Sequence, residues 1–226
     1  GPEVAARENP GLWLGGILAA AHQAGRDKLT LVASPGVAAL GSWIEQLVAE
    51  STGKRGRGIV PIDGEVLAEP SHYGDDRLFV HLLCGDADAD TARLLERLAL
   101  DGHPVVTLPI WDPIVLGGEF FRWEIATAVA GALMGINPFD EPDVAESKRL
   151  THALLVAHRE TGALPQPQVA AQDEDLILFA DSGVHADGGP HDWLAAHLSR
   201  AHAGDYLALL AYLPASDKDI AAELDS

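Results

Sequence analysis

Positive charge is scarce in this chain. Its 226 residues carry 15 Lys and Arg against 34 Asp and Glu, a formal net charge of −19, so its overall field repels nucleic acid and anionic membranes. Cysteine is scarcer still. Cys84 stands alone, which excludes an internal disulfide framework and suits a reducing compartment; its place in the apolar run 77–84 marks a small core residue. No apolar run reaches the roughly 20 residues that cross a bilayer, and no basic segment followed by a hydrophobic one opens the chain. A cytoplasmic protein is expected.

Several chemistry-bearing motifs are missing as well. Gly53-Lys54 is not a phosphate-binding P-loop, because Val48 stands where that motif needs Gly and Arg55 where it needs Ser or Thr. The run 86–90 (DADAD) begins like a calcium loop, but Thr91 replaces the sixth-position Gly and Arg97 the twelfth-position ligand; it reads instead as a polar cap for the next helix. None of the ten His is paired as His-Glu-x-x-His, and His191, His197 and His202 miss metal-ligand spacing. No Gly-x-Ser-x-Gly elbow supports nucleophilic catalysis. No metal and no cofactor are expected, and neither a repeat of fixed period nor a low-complexity tract is found.

What is present is ample material for a core, 47% hydrophobic residues, in a length that suits one large α/β domain over 1–226. Apolar runs predict strands at 28–33, 58–62, 78–84, 104–108, 176–180 and 206–212, and helical periodicity predicts helices at 12–24, 37–49, 90–100, 119–134, 144–161 and 193–201. Near-continuous apolar strands alternating with helices imply a three-layer, doubly wound, mostly parallel sheet of flavodoxin type. The segment 162–175, rich in turn formers and ending in Asp173-Glu-Asp175, reads as a surface loop or linker.

The densest chemistry lies at 49–58 (AESTGKRGRG). A break at Ser34-Pro35-Gly36 opens a helix whose apolar positions, Val37, Leu40, Trp43, Ile44, Leu47 and Val48, recur every three or four residues, and Glu50 follows them directly. Gly53 supplies a helix stop; Gly56 and Gly58 leave the backbone open to close approach. Lys54, Arg55 and Arg57 form the one dense basic group in an acidic chain. Spacing leaves two readings open: a carboxylate base beside a cationic loop, able to move a proton from carbon while holding an anion, or a helix end with cations suited to its dipole.

Two stretches extend the first reading. Residues 43–54 (WIEQLVAESTGK) with 58–62 (GIVPI), and residues 118–131 (GEFFRWEIATAVAG) with 135–144 (GINPFDEPDV) and Lys148, resemble, in the right order, the glucose-6-phosphate isomerases, especially the form fused to transaldolase. The similarity runs from about residue 9 to about 213 and is to the second of that family's two sugar-isomerase (SIS) domains. The resemblance implies interconversion of glucose 6-phosphate and fructose 6-phosphate through an enediolate. It makes Glu50 the base that carries a proton between C2 and C1, its pKa raised by apolar surroundings, and puts Ser51, Thr52, Gly53 and Lys54 beside the substrate.

The same resemblance sets Glu119 where some members place a His that aids ring opening; as plain chemistry Glu119 is equally an acid complementing a helix N-terminus. It also implies that the Arg that meets the enediolate and the loop that grips the phosphate belong to the first SIS domain, and a catalytic Lys to a C-terminal tail, both outside this sequence. The partners expected are therefore a sugar phosphate, those two parts of the same protein, and a second copy in a homodimer through Phe120, Phe121 and Trp123, which are otherwise core. Nucleic acid and membrane are not. The chain reads as an isomerase fragment inactive alone, with a non-catalytic sugar-phosphate-binding or dimerisation domain as the alternative.

Overall fold

The computed structural model describes residues 5, 8–165, 167–202, 205–210 and 212. The chain divides into two compact units, Gly1–Arg149 and Leu150–Ser226, each described by itself. The division falls inside a helix and not in the turn-rich segment 162–175.

In the first unit, β1 (Lys28–Ala33), β2 (Val60–Asp63), β3 (Arg77–Cys84) and β4 (Val105–Ile110) form one parallel sheet in the order β2-β1-β3-β4. Lys28 lies opposite both Val60 and Arg77, and Phe79 opposite Val105. The chain moves outward from β1 to β2 and then crosses to the other side of β1, so the winding reverses between β1 and β3. Alternation along the strands sorts the core into two layers. Leu29, Leu31, Leu78, Val80 and Leu82 face a cluster with Leu14 and Leu18 of α1 (Pro10–Gln23), Ile44 and Val48 of α2 (Ala38–Thr52), and Trp123, Ala126 and Ala130 of α4 (Leu116–Met134). Phe79 faces the other way, onto Leu95 and Leu98 of α3 (Ala89–Leu100). Helices thus cover both faces, the three-layer doubly wound α/β architecture that the apolar strands imply.

Local chemistry sets the ends of these elements. Asn9 Oδ1 accepts from the amides of Gly11 and Leu12 to open α1, and Asp88, within the expected polar cap, accepts from Thr91 N at 2.9 Å to open α3. Gly135 ends α4 in the left-handed conformation, φ 72°. Helix α1 lies close on α4: a Cβ built on Gly15 would stand 2.5 Å from the Ala126 carbonyl oxygen.

Helix α5 (Pro142–Thr161) begins in the first unit and ends in the second. The second unit also holds β5 (Val169–Gln172), β6 (Ile177–Phe179) and α6 (Pro190–Leu198). Two expectations are corrected here. The strand expected at 176–180 is β6, but it pairs antiparallel with β5 in a separate two-stranded sheet, so part of the expected loop 162–175 is itself strand. The apolar run 206–212 forms no strand among its described residues; Ala211 lies outside them. An apolar run becomes a strand only where an edge offers backbone partners, and none pairs with it among the described residues. No helix among the described residues is long and apolar enough to cross a membrane.

Candidate active site

Helix α2 follows β1 and α4 follows β4 in a parallel sheet, so both run back from its carboxyl edge to its amino edge. Trp43, near the start of α2, meets Phe120, near the start of α4, edge to face with ring centroids 4.5 Å apart. Beyond the far ends of the two helices, Lys54 meets Asn137 and Asp140. Glu50 therefore belongs to the amino edge of the sheet, and Glu119, in the first turn of α4, to the carboxyl edge. Seven residues separate Glu50 from the level of Trp43, about 10 Å of helical rise. The structure does not bring the two candidate acids together.

Glu50 is exposed. At about 100° per residue it lies on the stripe of Trp43 and Leu47 and off the buried stripe of Leu40, Ile44 and Val48. The apolar enclosure expected around it is not what surrounds it. Gln46 Nε2 donates to Glu50 Oε1 at 3.3 Å. The carboxylate lines a cleft of ≈ 290 Å³ with Ala49, Gly53, Lys54 and residues 141–144, which include Glu141 and Asp143. That cleft joins the end of α2 to the start of α5.

The neighbours of Glu50 differ from an open cationic loop. Thr52 is fully buried, its Oγ1 donating to Val48 O at 2.8 Å and accepting from Ile59 N at 2.9 Å; it closes the helix end. Ser51 is half-buried, and Gly53 caps the helix by donating to Ala49 O at 2.9 Å. Lys54 is 5% exposed, and its ammonium donates to Asn137 O at 2.8 Å and to Asp140 O while pairing with Asp140 Oδ1 at 2.9 Å. Arg57 Nη1 donates to Met134 O at 2.7 Å. Lys54 is thus buried, and Arg57, though exposed, is also bonded to a carbonyl at the end of α4.

Glu119 is 4% exposed. Its Oε2 stands 3.2 Å from Arg122 Nη1, an ion pair by distance that makes no aligned hydrogen bond. Burial pushes its pKa above the ordinary glutamate range, and Arg122 pulls it partly back. Trp123 Nε1 and Thr127 Oγ1, one and two turns along the same stripe of α4, are buried without hydrogen-bond partners too. The spacing of these three residues is visible in the sequence; that their polar atoms are orphaned is not. Glu141 and Asp143 escaped the sequence reading of the site, although both stand in the stretch 135–144 that carries the resemblance. No group of three or more His, Cys, Asp or Glu among the described residues could hold a metal ion.

A second cleft, ≈ 460 Å³, opens at the carboxyl edge of the sheet among Ala33, Ser42, Asp63, Glu65 and Thr91, where doubly wound folds commonly take ligands. Neither Glu50 nor Glu119 lines it.

Comparison with known proteins points to one group. No family model matches the chain. Among curated proteins it is similar to glucose-6-phosphate isomerase of Streptococcus pyogenes, 30% identical over 158 residues, covering 54% of this chain and 35% of that protein. The same enzyme of Lactobacillus helveticus is likewise 30% identical over 158 residues, with the same coverage; that of Heliobacterium modesticaldum is 25% identical over 171 residues, covering 59% and 38%. The chain spans little more than a third of the length of these relatives. Its structure is similar to the crystal structure of a hypothetical protein of Thermus thermophilus, with a TM-score of 0.52 and 21% sequence identity over 68% of this chain and 46% of that one, a likeness of fold alone. Over about half its length this chain is distantly similar to glucose-6-phosphate isomerases.

Proposed function

We propose that this chain supplies the general base of a sugar-phosphate aldose–ketose isomerase, with glucose 6-phosphate and fructose 6-phosphate as the substrate pair and Glu50 as the base. One observation carries the reading: the cleft at Glu50 is walled by Ala49, Glu50, Gly53 and Lys54 and by residues 141–144, segments of the two separate stretches in which the chain resembles those enzymes. The distant relatives above agree with it.

In this mechanism Glu50 takes the proton from C2 of the open-chain aldose, the electrons move into an enediolate, and the same carboxyl returns the proton to C1 to give the ketose. A carboxylate gains strength as a base where substrate and a covering domain exclude water. The cleft itself is acidic. Glu50, Glu141 and Asp143 line it, and the Lys54 cation is spent on Asp140. Donors for the enediolate and the phosphate therefore come, in this proposal, from a first SIS domain and a C-terminal tail of the same protein, so the chain alone would not turn over. Glu119, at the other edge of the sheet, lines no wall of this cleft. A homodimer and a transaldolase fusion extend the same proposal.

The test is Glu50→Gln in the full-length protein. The expected result is a kcat lower by ~10²–10⁴-fold, the usual worth of general base catalysis, with KM little changed. Unchanged turnover overturns the reading. Exposure of Glu50 and its pairing with Gln46 favour a second one, a non-catalytic sugar-phosphate-binding or dimerisation domain in which Glu50 is a solvated helix-surface residue. Titration of this chain with 6-phosphogluconate separates its two forms, since heat of binding marks recognition and silence leaves dimerisation.

A further inference from the structure

The turn after α2 is built as a clamp. Lys54 and Arg57 bond each other's backbones, Lys54 N donating to Arg57 O at 2.9 Å and Arg57 N to Lys54 O at 3.0 Å. Between them Arg55 and Gly56 both have positive φ, 56° and 70°, the signs of a type I′ turn. A non-glycine residue in that region is uncommon and held by its surroundings. The turn places Lys54 and Arg57 directly opposite each other, so their side chains leave on one side. Both end on acceptors that close α4: Arg57 on Met134 O, and Lys54 on Asn137 O, Asp140 O and Asp140 Oδ1. A helix C-terminus carries unsatisfied carbonyls and partial negative charge, and these cations answer both. Asn137 Oδ1 also accepts from Phe139 N at 3.1 Å, which sets the turn that presents those carbonyls.

We propose that Lys54 is a positioning residue for Glu50 and not a ligand for the substrate. Lys54 follows the helix end, two residues beyond Thr52 and next to the cap residue Gly53, and it lines the same cleft as Glu50. Anchoring Lys54 to Asn137 and Asp140 fixes the last turn of α2 against the segment leading into α5, whose residues 141–144 form the facing wall of the cleft. The Lys54 ammonium, 5% exposed with three oxygens around it, has no donor left for a sugar phosphate. Its charge is instead balanced by Asp140, and the clamp sets the distance across which Glu50 faces its substrate. This inference rests on the isomerase reading for its kinetic consequence and on geometry alone for the clamp.

The experiment compares Lys54→Met and Lys54→Arg in the full-length protein by steady-state isomerase kinetics and by hydrogen–deuterium exchange of peptides covering 134–144. Lys54→Met keeps the stem and removes the charge. It is expected to lower kcat by ~10–100-fold with KM for glucose 6-phosphate changed by less than about threefold, as misplacement of a base does, and to speed exchange at 135–141. Lys54→Arg restores the donors and is expected to recover slow exchange and most of kcat. A KM raised more than about tenfold with kcat retained identifies Lys54 as a substrate ligand and overturns the proposal; so does exchange at 135–141 that Lys54→Met leaves unchanged. If Lys54→Met does not fold, Asp140→Asn weakens the same anchor from the other side and is read by the same two measurements. Should the wild-type protein lack isomerase turnover, the Glu50 reading fails by itself and the exchange result alone decides the clamp.

Discussion

Glu119 sits in an environment that carboxylates avoid. A carboxyl 4% exposed with one oxygen unpartnered holds its proton more tightly in the folded chain than in the unfolded one, and Arg122 only partly offsets this. The sign of the linkage follows. Its stabilising contribution is complete below the ordinary glutamate value of about 4.3 and is lost as pH rises through the higher folded value. Glu119→Gln, isosteric and uncharged, is therefore expected to gain urea midpoint relative to wild type on going from pH 4 to pH 7. Equal differences at the two pH values would show an ordinary, solvated carboxylate. His81, whose pKa burial lowers, acts the other way, losing stability as pH falls, and it cancels in the comparison. Glu50 presents the opposite case: an exposed group whose importance rests on where the chain carries it.

Among elements, the helix layer over one face of the sheet depends on close approach. At Gly15 alanine would gain up to about 1 kcal/mol of helix propensity, but its Cβ would meet the Ala126 carbonyl at 2.5 Å and Val129 Cβ at 2.7 Å. Overpacking typically costs about 1–3 kcal/mol, so the clash wins, and Gly15→Ala is expected to lower Tm; a raised Tm would mean that α1 slides freely on α4. At the end of α2, Thr52→Val keeps the volume and deletes the hydroxyl between Val48 O and Ile59 N. Leaving a buried amide unpaired costs about 1–3 kcal/mol, an expected loss read from the urea midpoint. The first four strands and the six α-helices among the described residues were legible because apolar runs and helical periodicity are local signals. The ends of α2 and α4 were not legible as a clamp, since Lys54 is a plausible ligand until Asn137 and Asp140 are known to surround it.

At the scale of the whole molecule the excess of acid is the dominant charge effect. A net −19 makes the folded chain repel itself, and salt screens that repulsion within a Debye length of about 10 Å at 0.1 M. Tm is therefore expected to rise from 10 mM to 0.3 M NaCl at pH 7; a fall would show that salt-bridge pairs such as Arg77–Glu65, 2.7 Å, outweigh the repulsion. The same field explains why anion binding must be a local affair. The group that looked most suited to it, Lys54 with Arg57, is occupied by backbone oxygens.

By itself the sequence determined the layered α/β architecture, the place of β1 to β4, the helix stop at Gly53 and the candidacy of Glu50, because period, turn chemistry and charge spacing are local properties of a chain. Tertiary structure decided the rest. Only it could separate Glu50 from Glu119 by laying two helices side by side in the same direction, with one acid at the end of α2 and the other at the start of α4, bury Lys54 on Asn137 and Asp140, and move 177–179 into an antiparallel pair. Each of these depends on which distant backbone groups come within hydrogen-bond reach, and no local pattern encodes that distance.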